Sequence, residues 1–279
     1  MKERNEVIVQ AGNSLPTENI NQGTVAIESS RAVAEAQGKL LIAKKFPRNE
    51  TEAFAKAIQS CQRPGLASKA FYSYPRGKET VTGVTIRFAE ELARCYGNLD
   101  YGIKELSNIG GHSEMQAYCW DLETNTMSLQ NFTNKHIRES KYGNTELKSQ
   151  RDIYELNANM GARRLRSRIL AILPPDLVEA CKEECKKTLR GDNSIPMIDR
   201  INNMVTAFQK MGVSKEQIEK RLNHTVESMT EEELVDFTGI ANGIQTKETK
   251  VSDWFEQPKT ANVLTEQIME EIKEDEKHE

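Results

Sequence analysis

The chain has 279 residues, 37% apolar and 29% charged, with five cysteines and a formal net charge of −4. That length builds one substantial domain plus a small one, and the modest apolar share points to a real core with disordered ends. Nothing approaches the ~18 apolar residues of a membrane span, residues 1–26 contain no apolar core of a secretory signal, and an odd cysteine count without a repeated C-x-x-C argues against a disulfide framework or a zinc site.

Residues 1–26 are polar and read as a disordered arm. An alanine-rich helix is predicted over 27–46, ended by Pro47, and a second over 50–61, stopped by Pro64-Gly65. Residues 70–74 read as a short aromatic strand, followed by a turn at Pro75-Arg76-Gly77-Lys78. Thr85 is placed as an N-cap. Ile86, Ala89, Leu92, Ala93 and Tyr96 then repeat at helical spacing until Gly97. Three strand-like runs come next, at 99–106, 113–122 and 127–135, joined by Gly110-Gly111 and by a turn at 123–126. A polar loop is predicted over 139–150, then a long helix from 152 to about 173 and another over 178–189. The order helix, three-stranded meander, helix predicts an α+β fold with extra N-terminal helices.

Beyond residue 191 the composition changes. A helix over 198–211 and two capping-box patterns, Ser214 with Gln217 and Thr230 with Glu233, predict a small three-helix unit over 195–246. The domain plan is therefore an arm (1–26), an α+β body (27–190), a partner-binding helical unit (195–246) and an acidic flexible tail (247–279). Within the tail, Trp254-Phe255 is read as a docking strip.

The near-neutral total hides a split. Residues 31–190 carry 26 Lys+Arg against 19 Asp+Glu, whereas 191–279 carry 10 against 19. A basic body suits a polyanion, because cations release condensed counterions when they meet phosphates; a solvated basic face is the other account. The densest stretch is Arg163, Arg164, Arg166 and Arg168, preceded by Lys135, Arg138, Lys141, Lys148 and Arg151. Guanidinium groups grip phosphate bidentately, and Gly161 would let another backbone or helix approach. Arginines bridging to carboxylates of the sheet are the structural alternative. Tyr72, Tyr74, Arg76 and Lys78 set aromatics beside cations, a pattern suited to stacking on unpaired bases, though alternate positions of a strand also face a core.

Asp121 and Glu123, two apart, resemble the first motif of DnaQ-type exonucleases. That metal-dependent chemistry also needs a His five residues, or a Tyr three, before an Asp. His136, His224, Tyr142 and Tyr154 lack it. Gly77-Lys78 lacks the upstream glycine of a phosphate-binding loop. No catalytic constellation is expected, and the cysteines read as idle thiols in a reducing cytoplasm.

Residues 28–188 resemble phage proteins that anneal single strands, the RecT/Red-beta recombinase superfamily. The runs RPGLASKAFYSYPRGKETVTGVTIRFAEELARCYGN, AYCWDLETNT and RDIYELNANMGARRLRSRIL carry the likeness. The resemblance implies a homo-oligomeric ring or filament that holds single-stranded DNA, and then the annealed duplex, in a basic groove. It implies no nucleotide hydrolysis and no cofactor, magnesium entering only with the DNA. It also implies partnership with a phage exonuclease and a single-strand-binding protein in the bacterial cytoplasm. The expected DNA contacts are Tyr72, Tyr74, Arg76, Lys78, Lys135, Arg138, Lys141, Arg151, Arg163, Arg164, Arg166 and Arg168. The alternatives are an exonuclease using Asp121 and Glu123, separable by magnesium-dependent digestion, and a phage adaptor that binds only proteins, separable by salt-sensitive oligonucleotide binding.

Overall fold

The computed structural model describes residues 21–77, 79–140, 143–191 and 195–256, and divides the chain into two compact units, Met1–Pro47 and Arg48–Glu279. In the first unit the described part is one helix, α1 (Gln22–Lys45). Asn21 caps it, its side chain accepting from the amides of Gly23 and Thr24. The helix begins inside the stretch expected to be a disordered arm, because Asn21 supplies a cap that satisfies two of the orphan amides. The rest of that arm, 1–20, and the acidic end, 257–279, lie outside the described residues.

The second unit is α+β. It opens with α2 (Glu50–Cys61) and α3 (Pro64–Ala67), then a hairpin of β1 (Phe71–Arg76) and β2 (Glu79–Val84). This second strand is not among the predicted elements. The stretch after the Gly77 turn is β2 rather than a plain connection, and its Thr80, Val81 and Thr82 are β-branched and suit a pleat. α4 (Ile86–Tyr96) starts at Thr85, whose hydroxyl accepts from the Phe88 amide and donates to the Lys69 carbonyl. It stops at Gly97, which takes φ +78°. Phe88 and Leu92 on its inner face are fully buried; each such side chain stabilises the fold by about 1.5–3 kcal/mol.

β3 (Leu99–Ile109), β4 (His112–Asp121) and β5 (Thr126–Lys135) form the antiparallel meander, with β4 in the centre. β4 alternates strictly: Ser113, Met115, Ala117 and Cys119 are buried, and the residues between them face the other way. The buried face is covered by α5 (Gln150–Ile172), which packs on all three strands. Gly161 permits this approach. A β-carbon there would lie 2.8 Å from Ile103 Cδ1, so the glycine admits a side chain of the sheet rather than another helix. The loop expected between β5 and α5 holds a further hairpin, β6 (Ile137–Ser140) with β7 (Gly143–Glu146). The exposed polar residues of β7 carry no apolar alternation to announce it.

α6 (Pro175–Gly191) begins at the Pro-Pro pair that ends α5. Then come α7 (Met197–Lys210), α8 (Lys215–Leu222) and α9 (Glu231–Gln245), with short 3-10 turns at Val226–Ser228 and Val251–Asp253. Both expected capping boxes form, at Ser214 and Thr230. Two expectations fail in this region. First, Trp254 and Phe255 do not make an exposed docking strip. They are 7% and 3% exposed and complete the helical core with Phe208 and Phe237, so this core extends past residue 246. Second, the helical region does not stand apart from the α+β body. α9 lies along β1, and Asn242 Nδ2 donates to the carbonyls of Ser68 and Phe71 at 2.7 and 2.8 Å. Gly243 sits so close that a β-carbon there would lie 2.3 Å from the Ser73 carbonyl oxygen.

Candidate nucleic-acid interface

The four arginines of α5 are distributed among partners. Arg163 donates from Nη2 to the Lys247 carbonyl at 2.6 Å, and its Nε lies 3.4 Å from Glu248. Arg166 pairs with Glu248 at 3.2 Å and donates to the Tyr72 hydroxyl at 3.0 Å, its guanidinium lying over the Tyr72 ring at 4.6 Å. Arg164 lies over the Phe132 ring at 5.1 Å. Arg168 has its Nε buried without a hydrogen-bond partner among the described residues. Glu248, only 14% exposed, thus occupies the fork that the sequence pattern offers to phosphate. The segment that supplies it follows the end of α9, so the bridge runs to the C-terminal region and not to a carboxylate of the sheet.

β1 is covered on two sides, by the α+β core and by α9. Three consecutive residues, Phe71, Tyr72 and Ser73, are therefore buried where a one-faced strand would bury alternate ones. Tyr72 is 8% exposed and its ring stacks on Tyr74 at 6.1 Å. Burial raises its hydroxyl pKa, a shift that Glu248 and Tyr74 reinforce and Arg166 opposes. Tyr72 is thus a strut between β1 and α5 and is not open to stacking on a base. Tyr74 is half-buried and Arg76 exposed at the hairpin end. Lys78 and Lys141 lie outside the described residues.

The other predicted cations are arranged differently. Lys135 at the end of β5, Arg138 on β6, Lys148 in the connection and Arg151 in the first turn of α5 are all exposed. Arg138 approaches Asp152 only at 4.0 Å, with its side chain 68% exposed, and Lys135, Lys148 and Arg151 make no ion pair with a described residue. Their backbones are fixed by a buried polar network. Asn157 accepts from Asn134 Nδ2 at 2.9 Å and donates to Ser113 Oγ at 2.8 Å, and Ser113 meets His136 Nε2 at 2.9 Å. The His136 carbonyl in turn accepts from the Leu147 amide. A satisfied buried network holds one arrangement well, because each missing partner would leave a desolvated polar group. Sequence reasoning names the cations but not Asn134, Ser113 and Asn157, whose only signal is a polar residue at a position that the strand or helix period places inward.

Asp121 and Glu123 stand at the β4–β5 turn, and Asp121 accepts from the Glu123 amide at 3.0 Å. Both carboxylates are held by Arg48, whose guanidinium pairs with Asp121 and lies 3.0 Å from Glu123, while its amide donates to Glu123 at 2.9 Å. Arg48 also lies over the Tyr96 ring, 3.9 Å from its centre. Burial opposes ionisation of Glu123, but hydrogen bonds from Asn98 and from Arg48 outweigh it and hold the pKa below the usual carboxylate value. Arg48 carries no signal in the sequence; it stands between a helix-ending proline and the cap of α2. Among the described residues no His, Cys, Asp and Glu gather into a group able to hold a metal ion.

All five cysteines are free and buried, and burial pushes the Cys119 thiol up to about 12. They pack as small apolar side chains in the core. No described helix is long and apolar enough to cross a membrane. The chain matches no family model, and neither the curated proteins nor the solved structures hold a match to it.

Proposed function

We propose that this protein binds single-stranded DNA and anneals complementary strands in phage homologous recombination, without nucleotide hydrolysis. The observation that carries the reading is the group of exposed, sparsely paired cations at one end of the meander: Lys135, Arg138, Lys148 and Arg151. Four such charges on a rigid frame neutralise backbone phosphates and lower the repulsion between two strands brought together. Annealing makes and breaks no covalent bond, so proximity and charge neutralisation are the whole of the chemistry. The reading includes a homo-oligomer, ring or filament, and partnership with a phage exonuclease and a single-strand-binding protein in the bacterial cytoplasm. Asp121 and Glu123, the residues an exonuclease reading would need, are already engaged by Arg48, so that reading gains no support from the site.

Titration of a fluorescent oligonucleotide at rising salt tests the proposal. With about six phosphates contacted, at a slope of about 0.7 for each, affinity should fall about 300-fold between 50 and 200 mM salt. Two complementary oligonucleotides should pair faster with the protein than without it. Affinity indifferent to salt, or no acceleration of pairing, overturns the proposal.

A further inference from the structure

Where the first turns of α5 meet β3 the molecule holds a cavity of about 370 Å³, within the range of about 300–1,000 Å³ that small-molecule pockets occupy. A bulge shapes it. Glu105 pairs with Met115, then the register shifts, so that Ser107 meets Glu114 and Asn108 meets Ser113 while Leu106 has no counterpart on β4. Residues three apart on a regular strand face opposite sides of the sheet. Here the bulge turns both Glu105 and Asn108 toward α5, because each stands opposite a β4 residue of the buried face. The floor is apolar, with Met115, 4% exposed, and Ile153. Glu105 Oε1 accepts from Asn108 Nδ2 at 2.9 Å and from Asn157 Nδ2 at 3.3 Å, which fixes the carboxylate in the wall. Its other oxygen, Oε2, takes no hydrogen bond from a described residue. Tyr154 lines the rim and is 70% exposed. Gln150 lines the mouth, and the exposed cations Lys148 and Arg151 flank it in the chain. Arg151 and Tyr154, three apart on α5, are neighbours on the helix surface.

We infer that this cavity takes one unpaired base of the bound strand, stacked on Tyr154 and donating from its exocyclic amine to Glu105 Oε2, with the adjoining phosphate on Arg151 or Lys148. The inference rests on the single-stranded DNA reading above and supplies what that reading lacks once Tyr72 is buried: an exposed ring beside exposed cations. An ionised carboxylate accepts hydrogen bonds and never donates. Cytosine, adenine and guanine each carry an amino group that can donate to it, whereas thymine carries none. The one N–H on the pairing edge of thymine stands between two carbonyl oxygens, which a carboxylate repels. The ring of Tyr154 offers a π-face that any base can use, so the discrimination falls to Glu105. Met115 and Ile153 beneath the base keep water from competing for the same oxygen. The amine that Glu105 holds is the one that base pairing uses. The cavity therefore accepts a base from a single strand and releases it once the complementary strand captures it.

The test uses the full chain and two labelled strands of equal length and charge, oligo(dC) and oligo(dT), read by fluorescence anisotropy at mildly alkaline pH, where cytosine is neutral. Oligo(dC) should bind about tenfold more tightly than oligo(dT), the low end for a hydrogen bond to a charged group. Glu105→Gln keeps an oxygen for Asn108 and Asn157 and turns the free acceptor into a donor. In that variant the preference should vanish or pass to oligo(dT). Tyr154→Leu should weaken binding of oligo(dC) about 5- to 150-fold, while Tyr154→Phe binds as the natural chain does and both keep its unfolding midpoint. Equal affinity of the natural chain for the two strands, a preference that survives Glu105→Gln, or normal binding of oligo(dC) by Tyr154→Leu would each overturn this inference and leave the DNA reading standing. No anisotropy change with either strand at low salt would remove both.

Discussion

The arginines of α5 and the cations around β6 and β7 look alike in the sequence and differ in the structure. Arg163 and Arg166 grip Glu248, the Lys247 carbonyl and Tyr72, whereas Lys135, Lys148 and Arg151 are exposed without an ion pair to a described residue. Density of charge along a chain says how much charge there is. Availability depends on what the rest of the chain brings to it. Here a glutamate more than eighty residues downstream takes up two arginines of the densest cluster, Arg163 and Arg166.

The sharpest way to break the contrast is at a tied cation. Arg48→Ala leaves Asp121 and Glu123 without their partner, and Asp121 is 5% exposed. Removing one side of such a buried pair costs about 3–5 kcal/mol. Denaturant unfolding should show a loss of that order, and an unchanged midpoint would mean that the pair is not structural. Next is Arg163→Ala with Arg166→Ala. Because both hold Glu248, this double change should cost about 1.5–3 kcal/mol in chemical unfolding. A loss of oligonucleotide affinity with full stability would instead place phosphate on these arginines.

At the exposed, sparsely paired cations the signs reverse. Changing Lys135, Arg138, Lys148 and Arg151 together to Ala should alter stability by no more than about 0.5 kcal/mol per site. Affinity for oligo(dT) should fall at least tenfold, and the slope of log affinity against log salt should shallow by about 0.7 for each phosphate no longer neutralised. A slope that does not move would exclude these residues from the interface. The smallest effect belongs to His224. Its pKa is raised by the hydrogen bond to Glu233, with help from the Thr225 carbonyl. The stabilisation is fully present below the unfolded value of about 6.5 and is lost as pH rises through the higher folded value. The thermal midpoint of the natural chain should therefore decline slightly across that window relative to His224→Gln.

Much of the fold is legible in the sequence because it is written in local periods. The alternation of β4, the cap and stop of α4, the two capping boxes and the ends of α5 all depend on neighbours within a few residues. β2 and the β6–β7 hairpin escape such reading because short, polar, exposed strands carry little alternation. The candidate site is legible only in part. Lys135 and Arg151 can be named as cations, but which cations are already spoken for emerges only when Glu248 and Lys247 are seen against α5. The Trp254-Phe255 pair misleads for a related reason: two aromatics after a polar stretch look exposed until α7 and α9 close over them.

The seat of α9 on β1 has a consequence for how the chain is made. Asn242 hydrogen-bonds to carbonyls 171 and 174 residues earlier. At about 5–20 residues per second, a ribosome takes roughly 10–35 s to synthesise the intervening chain. Through that interval the hairpin of β1 and β2 has emerged without the helix that buries one of its sides, and a two-stranded ribbon is marginal alone. Contacts of such separation also slow folding after release. The nascent protein therefore spends much of its synthesis with the α9 side of β1, Ser73 included, uncovered, a substrate for chaperones until α9 arrives.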